Sequence, residues 1–98
     1  MYNINEITKN FFEDTIYSAD CSEIDIFRND YDEDTANVLY ICDFCENYPE
    51  DVLNWVYAND LIEDDNKAPR LAKLICQKVD RDASRWLINK TNPINFIV

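Results

Sequence analysis

Residues 35–47, TANVLYICDFCEN, decide the fold class of this chain. Read as a helix, the stretch places Val38, Ile41, Cys42 and Cys45 on one stripe. Leu39, Tyr40 and Phe44 leave few polar positions around that stripe, so the helix is expected to be central and buried on most sides. Read as a strand, Val38–Ile41 is a short run of the residue types that favour sheets. Asp34, just before the stretch, is a good N-cap and tips the reading toward helix. The expectation is a mainly α fold of about four helices in one domain spanning residues 1–98. The alternative is an α+β fold with short strands near Val38–Ile41 and in the C-terminal tail.

Working outward, residues 4–19 read as an amphipathic helix. Ile4, Ile7, Phe11, Phe12, Ile16 and Ala19 face inward, Glu6, Glu13, Asp14 and Tyr17 face outward, and Asn3 or Asn5 is the cap. In residues 22–34, Ser22 with Asp25 resembles a capping box for a short helix. The alternation of Ile24 and Ile26 also allows a short strand. On the other side, Tyr48 precedes a proline and is biased away from helix, while Pro49 suits the first position of a new one. That helix has Glu50 and Asp51 in its first turn, where they complement the dipole. Its expected inner face is Val52, Leu53, Val56 and Tyr57, with Asn59 as a left-handed terminator. A longer helix then starts near Pro69, with Leu71, Leu74, Ile75, Val79, Ala83, Trp86 and Leu87 at spacings of three and four. The apolar tail residues Ile94, Phe96, Ile97 and Val98 are expected to pack on the domain or on a second copy, which makes a homodimer an open option.

Composition excludes several kinds of chemistry. The chain has no glycine and no histidine. Without glycine there is no phosphate-cradling loop of the Walker or dinucleotide type. Without histidine the commonest general base and zinc ligand are missing. No cofactor and no enzymatic activity are expected. No run of eighteen apolar residues exists to span a membrane, and the start, MYNINEITKN, lacks the basic and apolar regions of a secretion signal. A cytoplasmic protein with reduced cysteines is predicted. Cys42 and Cys45 form C-x-x-C, and with Cys21 and Cys76 the four thiols are enough for one tetrahedral zinc. Their spacing matches no compact zinc module, so buried core thiols are the preferred reading and the metal is the alternative. The acidic runs NDYDEDT (29–35) and NDLIEDD (59–65) lack the spacing and the glycine of a calcium loop.

The charge is the strongest functional signal. Twenty acids face nine bases, a net charge of −11. Residues 1–66 hold eighteen of the acids with only Lys9 and Arg28, whereas residues 67–98 hold seven bases and two acids. Such a chain repels nucleic acid and anionic membranes and is drawn to basic surfaces. The exposed acids are expected to be Asp30, Asp32, Glu33 and Asp34, then Glu46, Glu50 and Asp51 around the Pro49 corner, then Asp60, Glu63, Asp64 and Asp65. Carboxylates spread over helices and turns in this way imitate a row of backbone phosphates. In the last helix, Arg70, Lys78, Arg81 and Arg85 fall within roughly an 80° sector at about 100° per residue. This cationic stripe is placed to clasp the acidic helices or to form a second binding surface.

The stretch EDVLNWVYANDLIEDDNKAPRLAKLICQKVDRDASRWL (50–87) resembles the second half of the phage Ocr antirestriction family: a helix, an acidic linker, and a longer helix of alternating apolar spacing. The resemblance extends to small size and acidity. It implies a mainly helical protein that mimics bent duplex DNA and occupies the DNA groove of a restriction–modification enzyme, a strategy shared by small acidic anti-CRISPR proteins. The residues to which it extends are Glu50, Asp51, Asp60, Glu63, Asp64 and Asp65. It stops after Asn66, where this chain turns basic and Ocr-like chains stay acidic. The expected function is a phage or mobile-element inhibitor that occludes a basic nucleic-acid site of a host defence enzyme, a restriction–modification or CRISPR–Cas complex, in the host cytoplasm. Two alternatives stay open: an antitoxin or immunity protein that neutralises a basic nuclease, and a regulatory module that uses its basic last helix.

Overall fold

Each of the first four helices starts at a residue whose chemistry explains the start. A computed structural model of the chain describes residues 3–89, with side chains as far as Arg85. The apolar tail, and with it the alternative C-terminal strand, lies outside the described residues, as do the side chains of Trp86 and Leu87. The Asn3 side chain accepts from the Asn5 and Glu6 amides at 3.0 and 3.3 Å and opens α1 (Ile4–Tyr17). Asp20 opens α2 (Cys21–Arg28), accepting from the amide and hydroxyl of Ser22 at 2.9 and 2.8 Å. Ser22 is therefore not the cap but the donor to it. The helix turns Ile24 inward and leaves Ile26 exposed, because residues two apart in a helix lie about 200° apart. The alternation that allowed a strand is thus a pair of opposite faces.

The deciding stretch is helical. It forms most of α3 (Glu33–Asn47), and no strand occurs among the described residues. The cap is Asp32, not Asp34: its carboxylate accepts from the Thr35 amide at 3.2 Å and the Thr35 hydroxyl at 2.7 Å. Asp34 instead sits in the first turn beside Glu33. Tyr48 alone separates α3 from α4 (Pro49–Ala58), with Pro49 at the start as expected. Asn59 closes α4 with φ of −96°, and its side-chain amide donates to the Trp55 carbonyl at 2.8 Å. The left-handed residue is Asp60, with φ of 51°. Aspartate tolerates that region because its short side chain can bond locally. Asp64 then caps a single 3₁₀ turn, Asp65–Lys67, that leads into α5 (Ala68–Asn89). The described residues form five α-helices, the expected mainly α fold of about four helices with the short helix after Asp20 present.

The core lies where α3 and α5 pack together. α4 covers α5, α1 lies against both α5 and α3, and α2 packs on α3. Phe11, Ile41, Val52, Leu71, Ile75 and Val79 are fully enclosed. Three helices depart from the expected faces, and the last two departures matter below. α1 buries Thr8 and Thr15 beside Ile7 and Phe11. In α4 the inner shoulder is Trp55, and Tyr57 is exposed. In α5 the buried stripe includes Lys78 and Asp82.

Candidate functional site

All eleven carboxylates singled out from the sequence are exposed: Asp30, Asp32, Glu33, Asp34, Glu46, Glu50, Asp51, Asp60, Glu63, Asp64 and Asp65. The fold sorts them onto three successive corners. The first group occupies the α2–α3 turn, the second the α3–α4 corner, the third the connection from α4 to α5. At about 1.5 Å per residue, α3 holds the first two corners roughly 20 Å apart along its axis, and α4 holds the second and third roughly 15 Å apart. Negative charge is therefore distributed in clusters along rigid rods, not gathered at one point. Glu33 and Asp34 stand in the first turn of α3, Glu50 and Asp51 in that of α4, where the helix dipoles favour them.

The cationic stripe is partly consumed by its own helix. The Lys78 ammonium lies 2.6 Å from the Asp82 carboxylate, and both side chains are almost fully buried. The exposed Arg81 approaches the other Asp82 oxygen at 3.9 Å. Arg70 and Arg85 are exposed. Among the described residues, Arg70, Lys78 and Arg81 make no ion pair with another helix. These three thus do not clasp the acidic helices.

The cysteines do not form a four-thiol metal site. Cys21 is exposed at the start of α2, while Cys42, Cys45 and Cys76 lie at the α3–α5 contact. No group of three or more potential ligands in a metal-holding arrangement occurs among the described residues. The Cys76 thiol donates to the Cys45 carbonyl at 4.0 Å. Side-chain hydrogen bonding between the two neighbouring thiols lowers the Cys76 pKa and, together with burial, raises that of Cys45. Burial, with the Asp80 and Glu46 charges behind it, pushes Cys42 up to about 11. The C-x-x-C pair belongs to the core, as its helical spacing implied.

One feature escaped the sequence reading. An open groove of about 320 Å³ runs between α1, α3 and α4. Phe11, Tyr40, Phe44 and Trp55 line it, with Asp14 and Asp51 among its polar residues. Trp55 stands edge-on to Phe11, with ring centroids 5.2 Å apart, and its indole N–H donates to Asp14 Oδ2 at 3.1 Å. Phe44 links this pair to Tyr40 and Tyr48 at 6.3 and 5.5 Å. Burial, then the Glu23 charge, raises the Tyr40 phenol above its ordinary range. The available signal was a tryptophan set among Asp51 and Asn54 on a short helix, an apolar ring bordered by polar neighbours.

No family model, curated protein or solved structure matches this chain. No helix among the described residues is long and apolar enough to cross a membrane.

Proposed function

We propose that this chain inhibits a host defence enzyme, of the restriction–modification or CRISPR–Cas kind, by occupying its basic nucleic-acid site with a DNA-like acidic surface. The observation that carries the reading is the density and exposure of its carboxylates. Residues 3–89 carry all twenty acids and eight of the nine bases, and the fold is elongated, 41 × 27 × 18 Å. Twelve net negative charges along 41 Å come to about one per 3.4 Å, half the density of a duplex at about one per 1.7 Å. The density is high enough to steer the chain into a channel shaped for phosphates. At half the duplex charge, affinity must also draw on specific contacts. Inhibition is steric and electrostatic, with no catalytic step.

The regulatory alternative is weakened by the stripe itself. With Lys78 buried against Asp82, fewer cations remain to offset the repulsion between a chain at −11 and phosphate. The test is capture of partners from a host lysate at low salt, followed by competition with duplex DNA. The expected result is a nucleic-acid enzyme that the duplex displaces. Recovery of no such enzyme, or direct binding of this chain to duplex DNA at moderate salt, overturns the proposal. Capture of a toxin nuclease encoded beside this chain would move the reading to an immunity protein.

A further inference from the structure

The groove between α1, α3 and α4 combines two properties that single out one ligand chemistry. Its accessible rings are the half-buried Phe44 and Trp55, backed by the enclosed Phe11 and the buried Tyr40, and its charged lining is Asp14 and Asp51, both exposed. No lysine or arginine lines it among the described residues. At about 320 Å³ it lies at the small end of the roughly 300–1,000 Å³ typical of ligand sites, which suits a single side chain better than a cofactor.

Aromatic ring faces carry negative quadrupole potential, and the two carboxylates add full negative charge. An anion is repelled by both. A neutral apolar group would use the rings but would crowd the carboxylates without compensating them. A cation on an apolar stem satisfies both surfaces at once. Between the two cationic side chains, the planar guanidinium stacks on rings and bonds carboxylates through its fork, whereas an ammonium acts as a point charge. The site is also prearranged. The Trp55 indole is held by Asp14 Oδ2, and a carboxylate has acceptor capacity for more than one donor. Among the described residues the Asp51 side chain makes no hydrogen bond, so its carboxylate is available to an incoming donor.

We propose that this groove is a socket for an arginine side chain of a basic protein partner, with the rings packing against the guanidinium plane and stem and with Asp14 and Asp51 accepting its N–H groups. The proposal rests on the partner being basic, as above, but places a specific contact on a surface outside the three acidic corners for all but Asp51. Such a socket supplies what charge density alone lacks, a short-range contact that distinguishes one basic channel from another.

The probe is acetyl-arginine-amide, with acetyl-citrulline-amide as its neutral isostere, titrated into the full ¹⁵N-labelled chain. The Trp55 indole N–H resonance, assigned with a Trp86→Phe variant, reports on the groove. Saturable shifts of this resonance are expected with the arginine compound, with about tenfold weaker or no response to the citrulline compound. Asp51→Asn should weaken the response about tenfold, and Asp14→Asn at least as much. Glu63→Gln with Asp64→Asn should change it less than twofold. Because Asp14→Asn also alters the indole contact, Asp51→Asn is the decisive variant. Equal responses to both compounds, or shifts spread evenly over the acidic corners without saturation at Trp55, overturn the socket. The socket and the inhibitor reading fail separately. A captured nucleic-acid enzyme bound equally well by Asp51→Asn, with no arginine response at Trp55, rejects the socket alone. An arginine response without any captured nucleic-acid enzyme rejects the inhibitor reading alone.

Discussion

Lys78 and Asp82 show how far a residue's role can depart from its place in a pattern. On the sequence Lys78 is one of four cations in a stripe. In the fold it is buried with Asp82 at 2.6 Å, so its charge is local and structural. Lys78→Met leaves the buried Asp82 carboxylate with only the exposed Arg81 at 3.9 Å and should cost up to about 3–5 kcal/mol, read from chemical denaturation. Lys78→Met with Asp82→Leu should recover most of that loss, because two well-packed apolar groups can replace a buried pair. Cys42 gives a second residue-level prediction. Its thiol rises from the ordinary 9.0 to about 11 in the fold, burial first and Asp80 next. The folded state therefore holds the proton more tightly than the unfolded chain. The stabilisation is fully present below about pH 9 and is lost as pH rises toward 11. Tyr40, raised chiefly by burial, acts in the same direction at alkaline pH. Denaturation of the wild type should weaken more steeply between pH 9 and 11 than that of Cys42→Ala; identical slopes would show that Cys42 does not carry the effect.

At the level of elements, α3 was the uncertain reading and its cap is what stabilises the helical answer locally. Asp32→Ala removes the bonds to the Thr35 amide and hydroxyl and should destabilise the protein by about 0.5–2 kcal/mol in thermal or chemical denaturation. Asp34→Ala, in the first turn but not the cap, should cost less. The sequence contained both acids at plausible positions, and the choice fell to the one whose carboxylate reaches the Thr35 hydroxyl. The inner face of α4 was misjudged for a geometric reason. A face centred on Val52 and Val56 puts Leu53 and Trp55 on its two shoulders, and at about 100° per residue Tyr57 falls beyond them. Trp55 is thereby turned toward Phe11 and Asp14, and the groove exists because of that rotation. Pro49, by contrast, was legible at once, since a proline at the start of a helix loses no bond.

For the whole molecule, the consequence of exposed acidity is long-range and salt-dependent. On the proposed inhibitor reading, association with a basic partner should slow at least tenfold between about 50 and 500 mM salt, measured by stopped flow or surface binding, as screening shortens the reach of the field. Reversing Asp60, Glu63, Asp64 and Asp65 to Lys should abolish binding to such a partner while the α-helical circular dichroism stays largely intact, since all four carboxylates are exposed and lie between α4 and α5, where the lost Asp64 cap and the left-handed Asp60 affect only the connection. Retained binding would remove this corner from the interface. The sequence by itself determined what depends on neighbours along the chain: helices from three-and-four spacing, their approximate starts from capping and proline, and surface acidity from sheer excess of carboxylates over anything that can neutralise them. The tertiary structure alone decided what depends on distant residues meeting. Trp55 finds Asp14 across 41 positions and Cys76 finds Cys45 across 31. The groove, the thiol contact and the burial of Lys78 follow from how the helices rotate and pack, and helical periodicity fixes which residues share a face without fixing which face another helix will cover.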